Sequence, residues 1–140
     1  MIAGNQYAYS LEFAVRDYEL DSEGVVNNAV YLHYLEHTRH AFIKQAGVTF
    51  AALTAAGVVP MVRRVEADYL TPLRSGDEVV SSLWLERRGA RFMFHQDIHV
   101  KATGALSVRA LVTIVCVENG RLSRGDALAQ MFQQYLVSEP

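Results

Sequence analysis

The stretch Asp17-Tyr18-Glu19-Leu20-Asp21-Ser22-Glu23-Gly24-Val25-Val26-Asn27-Asn28-Ala29-Val30-Tyr31 sets two carboxylates, Glu19 and Asp21, a glycine and two adjacent asparagines directly ahead of a helical pattern. The first N–H groups of a helix have no partner within it and attract a developing negative charge. Asn27 or Asn28 is a natural N-cap, because its side-chain oxygen accepts from a first-turn N–H. A carboxylate beside such donors supplies both halves of acyl-transfer chemistry: one group attacks or deprotonates water, the other stabilises the oxyanion. The same residue types also serve as plain helix caps, so from residue identity alone both readings stand.

Other candidates are weaker. The helix expected over Ala29 to Ala46 places Leu32, Leu35, Phe42, Ile43 and Ala46 on one stripe, with Arg39 in its middle. A charged group there needs a partner or a route to water, and Glu36, three residues earlier, is within reach. The expectation is a Glu36–Arg39 pair that docks the helix or holds the geometry of a site above it. His33 and His37 are four apart on the polar edge, with His40 and Lys44, but no HExxH pattern or neighbouring Asp or Cys accompanies them. A solvated face is expected there, with no metal and no cofactor. His95 and His99 alternate along a strand and are expected as a surface pair. Cys116, the single cysteine, lies in the apolar run Ala110–Val117 and is expected as a small core residue.

The elements that must position these groups follow from periodicity. Tyr9, Leu11, Phe13 and Val15 alternate as a strand. The long helix closes at Gly47, and a shorter helical piece, Thr49 to Ala56, ends at Gly57. Strands are then expected over Val58–Tyr69, Glu78–Arg88, Arg91–Lys101 and Leu106–Glu118, the last covered on both faces. A closing helix over Asp126–Leu136 with Asp126 as N-cap completes the chain. The fold class is α+β: one domain over residues 1–140, a five-stranded antiparallel sheet wrapped around a long central helix. One long helix covers one face of the sheet, so apolar residues at its edges favour a second copy, a homodimer or homotetramer.

The chain has 140 residues, 13 basic and 15 acidic, with a net charge of −2. That balance argues against a nucleic-acid or membrane-surface role, both of which favour a basic excess. No run reaches 18 apolar residues, and the N-terminus lacks a basic head followed by an apolar block, so the expected location is the cytoplasm.

The segment VRDYELDSEGVVNNAVYLHYLEHTR, residues 15–39, resembles the signature of the 4-hydroxybenzoyl-CoA thioesterase branch of the hotdog-fold superfamily. So do the run Tyr69-Leu70-Thr71-Pro72-Leu73-Arg74-Ser75-Gly76-Asp77 and the hairpin Glu86-Arg87-Arg88-Gly89-Ala90-Arg91. The wording DYELDxxGVVNNAVY, followed by RHxF, is especially similar to single-hotdog acyl-carrier-protein thioesterases of plant plastids and their bacterial relatives. The resemblance implies a single hotdog domain that hydrolyses an acyl-CoA or acyl-carrier-protein thioester to free acid and thiol. It implies Asp21 as nucleophile or general base and the Asn28 N–H as the group that polarises the carbonyl. Gly24, with Val25, would allow close approach of substrate, while Tyr31, Glu36 and Arg39 shape and brace the site. Arg87, Arg88 and Arg91 would meet coenzyme A phosphates or an acidic carrier protein. The usual Asp-Thr at the first acidic position is Glu19-Leu20 here, so loop packing is expected to differ. The alternatives are an acyl-thioester-binding protein without catalysis and an enoyl-thioester hydratase, whose sites add a His that the Asp21–Asn28 loop lacks.

Overall fold

A computed structural model describes residues 6–137; the first five and last three residues of the expected domain lie outside the described residues. The elements run β1 (Tyr9–Ala14), α1 (Asn28–Gln45), α2 (Phe50–Ala55), β2 (Val58–Tyr69), β3 (Glu78–Arg88), β4 (Arg91–Val100), β5 (Leu106–Glu118), β6 (Arg121–Leu122) and α3 (Asp126–Met131). The sheet order is β1-β3-β4-β5-β2, antiparallel throughout. These are the five expected strands, with the two-residue β6 added as a hairpin on the end of β5.

Strand periodicity decides which side chains meet the helix. Phe92, Phe94, Gln96 and Ile98 of β4 sit opposite Ile114, Val112, Ala110 and Val108 of β5, and all of them are buried on the concave face. Each fully buried apolar side chain of this size contributes about 1.5–3 kcal/mol. The outer face of β5 is only partly covered, because Arg109 is exposed and Leu111 and Val115 are half-buried. The long apolar run therefore reflects one buried face and one partly screened face within a single chain, not the full cover expected.

On α1 the buried residues are Tyr31, Tyr34, Leu35, Thr38, Arg39 and Phe42. Leu32 departs from expectation and is 41% exposed. Thr38 takes the central place, its hydroxyl donating to the Tyr34 carbonyl (2.8 Å) and lying 2.7 Å from the Ser81 hydroxyl. With Tyr31, Leu35 and Phe42 on the same row, the helix turns its Tyr31 side to the sheet and Leu32 outward. It leans on β1 and β3, which leaves its side toward β2 open.

The C-terminal helix is shorter than expected and is capped by Gly125, not Asp126. The chain turns after Met131 because Leu136 bridges to Leu85 and the Val137 N–H donates to the Leu85 carbonyl at 3.0 Å. Gly125 is required: its φ is +76°, and a Cβ there would lie 2.7 Å from the Phe92 ring. Among the described residues no helix is long and apolar enough to cross a membrane.

Candidate active site

The loop between β1 and α1 is built around Glu19. Asp17–Glu19 forms a 3-10 turn in which Glu19 accepts from the Arg16 N–H (2.8 Å) and from the Arg16 guanidinium (3.0 Å). The buried Tyr34 hydroxyl also donates to it at 2.8 Å. Burial alone would raise the Glu19 carboxyl, but these donors outweigh it and hold the group below the usual carboxylate range. Tyr34 is raised well above its ordinary value, first by burial and then by the Glu19 carboxylate. Glu19 is thus a structural anchor, buried and facing α1, and the two carboxylates paired in the sequence point to different tasks.

Asp21 is half-buried and organises the turn that follows. Its Oδ1 accepts from the Glu23 N–H at 2.8 Å and more weakly from the Val25 N–H at 3.4 Å. Its own N–H donates to the Val25 carbonyl at 2.8 Å, and Leu20 bridges Val26 just beyond. Gly24 closes the turn with φ +77°, and a Cβ there would meet nothing within 4 Å. Glycine here answers a left-handed backbone, and no protein neighbour crowds it. The Val26 N–H donates to the Leu73 carbonyl (2.9 Å) and the Asn27 N–H to the Glu19 carbonyl (3.0 Å), which fixes the entry into α1.

Of the two asparagines, Asn27 is the N-cap: its Oδ1 accepts from the Ala29 N–H at 2.9 Å. Asn28 is then the first helical residue, and its N–H has no acceptor among the described residues. Asp21, Val25, Val26, Asn28 and Tyr31 line one open cleft of about 330 Å3 with Tyr69, Leu70, Thr71 and Pro72. Tyr31 is buried, its hydroxyl accepting from the Leu73 N–H at 3.2 Å and its ring 5.3 Å from that of Tyr69. A carboxylate and an open first-turn N–H therefore share a cleft with an apolar far wall. The wall from Tyr69 to Pro72 carries no chemical signal of its own; its only trace in the sequence was the family-like run beginning at Tyr69.

Other expected site residues lie elsewhere. Arg91 pairs with Val115 and Ile98 with Val108, so the hairpin is seven residues from the cleft end of β4, ~24 Å along the strand. Arg87 is tied to Asp126 Oδ1 (2.7 Å), to the Arg124 carbonyl (2.7 Å) and to the Gly89 carbonyl, with its guanidinium over the Phe92 ring. Arg88 pairs with Glu86, while Arg91 stands exposed. Within one chain the hairpin and the cleft are separate. The expected Glu36–Arg39 ion pair is also replaced: Arg39 Nη1 donates to Gln96 Oε1 at 3.0 Å, and no carboxylate lies within 4 Å of it among the described residues. Gln96 in turn donates to the Leu35 carbonyl at 3.1 Å, so the pair stitches α1 to β4.

The histidines and the cysteine are accounted for as well. His33 and His37 are exposed on α1. His95 is more than a surface group, lying stacked on Trp84 at 3.8 Å with its Nε2 2.7 Å from Glu86. Cys116 is buried in the core, and burial pushes its thiol up to about 11, far from a reactive thiolate.

Comparisons with known proteins bear on this arrangement. An acyl-acyl carrier protein thioesterase from Arabidopsis thaliana chloroplasts, ATL3, is 43% identical over 72 residues, covering 51% of this chain and 38% of that protein. The chain thus spans well under half the length of that plant relative. A putative acyl-CoA thioesterase of Bacillus subtilis, YneP, is 32% identical over 76% of this chain and 78% of its own length. Among solved structures, the 1,4-dihydroxy-2-naphthoyl-CoA thioesterase Slr0204 from Synechocystis superposes with a TM-score of 0.81 over 94% of this chain and 98% of its own. At 18% identity that likeness speaks for the fold alone, a hotdog. The model of the thioesterase-like superfamily matches residues 15–136, from the last residues before the Asp21 loop to the end of the C-terminal segment, and to that superfamily the chain belongs.

Proposed function

We propose that the protein hydrolyses an acyl thioester of coenzyme A or of a carrier protein to the free acid and thiol in the cleft at the start of α1. The observation that carries the proposal is that the Asp21 carboxylate and the unpaired Asn28 N–H line the same cleft. The thioester carbonyl oxygen accepts from Asn28, where charge develops as the carbonyl carbon becomes tetrahedral. Asp21 either removes a proton from a water that adds to that carbon, or adds itself to give a mixed anhydride that water then opens. In both routes the C–S bond breaks and the departing sulfur takes up a proton. The names of the plant and Bacillus relatives support both handles, carrier protein and coenzyme A.

A second copy of the chain supports the handle. β2 is an edge strand of 12 residues whose apolar side chains Val59, Met61, Val62 and Val65 are exposed, the kind of edge that pairs. Antiparallel pairing of two β2 edges about a two-fold axis lays the far end of one sheet beside the cleft end of the other. Toward that far end Arg63, from the middle of β2, and Arg91 line a cleft of about 200 Å3, and neither has an ion-pair partner among the described residues. Two unpaired guanidinium groups suit a phosphate or an acidic protein surface. In the dimer they serve the Asp21 cleft of the other subunit, a role one chain alone does not provide.

The test is thiol release from matched acyl-CoA and acyl-carrier-protein panels, wild type beside Asp21→Asn. Turnover by the wild type, with a loss of about 10²-fold to 10⁴-fold in a variant of unchanged melting temperature, is the expected result. Binding without turnover across both panels would instead favour the binding-protein reading.

A further inference from the structure

A further, part-open cavity of about 170 Å3 lies between α1, α2, β2 and α3, and it shares no lining residue with the Asp21 cleft. It is comparable in size to the ~150 Å3 apolar cavity that accepts a benzene-sized ligand. Leu53, Phe94, Ile114 and Phe132 give it an apolar wall, and Arg39 lies in that wall. Arg39 is only 8% exposed. A guanidinium has five N–H donors, and here one of its nitrogens is bonded, to Gln96. Burial pushes Arg39 below its usual range, opposed by the field of the exposed Glu36. A buried cation without a bonded carboxylate is costly, and it suits an anionic guest that brings its own carboxylate.

Both cavities open on the same side of α1. Residues of α1 and β2 line both, Asn28, Tyr31 and Tyr69 at one and Glu36, Arg39, Pro60 and Val62 at the other, and Leu32 and Val65, between them on the same two elements, are exposed. Arg39 is eleven residues beyond Asn28, ~16 Å along the axis, and helical side chains lean back toward the N-terminus, so the guanidinium is ~12–16 Å from the first turn. An extended chain advances ~1.2 Å per bond, so that gap takes ~10–13 bonds.

Building on the thioesterase reading, we propose that the Arg39 cavity receives the far end of the acyl chain and that Arg39 selects chains ending in a carboxylate, the half-thioesters of dicarboxylic acids about ten to twelve carbons long. Arg39 is then a specificity residue, remote from the bond that breaks. Glu36 remains at the exposed rim, where water screens its repulsion of the guest.

The experiment compares kcat/KM for sebacoyl and decanoyl thioesters, and for adipoyl and hexanoyl thioesters, on the wild type, Arg39→Met and Arg39→Lys. The wild type is expected to favour sebacoyl over decanoyl by about tenfold to a hundredfold, the scale of a charge-assisted hydrogen bond, with no such preference in the short pair. Arg39→Met is expected to reverse the long-chain preference. If that variant fails to fold, Arg39→Lys, which keeps the charge but not the planar fork, is expected to weaken the preference. A wild type that turns over decanoyl better than sebacoyl overturns the selection and leaves the thioesterase reading standing. If no thioester is cleaved, calorimetry of wild type with the half-amide of sebacic acid against decanamide decides the point. Tighter binding of the half-amide supports the cavity assignment, and equal or weaker binding overturns it.

Discussion

Asp21 both holds its turn and lines the cleft. Oδ1 accepts from the Glu23 and Val25 N–H groups and so holds the turn, while the carboxylate as a whole faces the cleft shared with Asn28. Asparagine keeps an acceptor for the turn but neither attacks nor takes a proton, whereas alanine loses both functions. Asp21→Ala is therefore expected to lower stability by about 1 kcal/mol as well as cut turnover by about 10²-fold to 10⁴-fold, and Asp21→Asn to cut turnover alone. Denaturant midpoints read beside initial rates for the two variants separate these effects. An Asp21→Asn that is as active as wild type would remove Asp21 from the chemistry. The sequence showed Asp21 and the asparagine pair because their types and their place before a helix are chemical signals. It did not show that Glu19 faces inward, since the donors that select it (the Tyr34 hydroxyl above all) come from a different element. Nor did it show that Arg39 bonds Gln96, 57 residues away, in place of its helical neighbour Glu36.

The loop and α3 show how single interactions fix an element. The Glu19 carboxyl sits below its ordinary value in the folded protein, so the unfolded chain binds the proton more readily. Its contribution to stability is complete above the ordinary titration near pH 4.5 and is lost as the pH falls through the lower folded value. Glu19→Gln keeps an acceptor but removes that titration. The drop in melting temperature between pH 7 and strongly acidic solution is expected to be shallower in the variant, and an unchanged drop would place the acid sensitivity elsewhere. At the start of α3, Gly125→Ala meets both a left-handed backbone and the Phe92 ring at 2.7 Å. A loss of about 2–4 kcal/mol is expected in urea unfolding, far above the small effect of an exposed turn glycine. Element limits were legible where a strong signal marks them: β2, β3 and β5 run over the residues their alternation predicts. The stripe of α1 was misread because residue type favoured Leu32, and only the hydroxyl of Ser81 across the core explains why Thr38 takes the inward place. The end of α3 was misread for the same kind of reason, since Leu85 on β3 draws the chain out of helix.

At the scale of the whole molecule, the sheet is asymmetric, and the asymmetry favours one edge for the proposed pairing. One edge is β1, six residues long, and the other is β2, twice that length, with Val59 and Met61 about half exposed on its outer face. A long apolar edge left open in water would capture other chains without order, and pairing with an identical edge removes the hazard with backbone hydrogen bonds. Apolar residues at the sheet's edges are the reason for expecting a second copy, and which strands are edges was not legible, because strand order is set by pairing partners far apart in the chain. Charges on β2 should then break the assembly while sparing the fold, because these side chains point to solvent in the single chain. The double variant Val59→Lys, Met61→Lys is expected to sediment as one chain where the wild type sediments as two, with its melting curve still cooperative. Because Arg63 and Arg91, without an ion-pair partner among the described residues, line a cleft separate from that of Asp21, the separated chain should bind coenzyme A thioesters more weakly. That loss should appear chiefly as a raised KM, and raising the salt concentration should weaken the wild type's binding but hardly alter the monomer's, since the screened charges belong to the other subunit. A monomeric variant with unchanged KM and unchanged salt dependence would confine the whole binding site to one chain and return the arginines to the solvent.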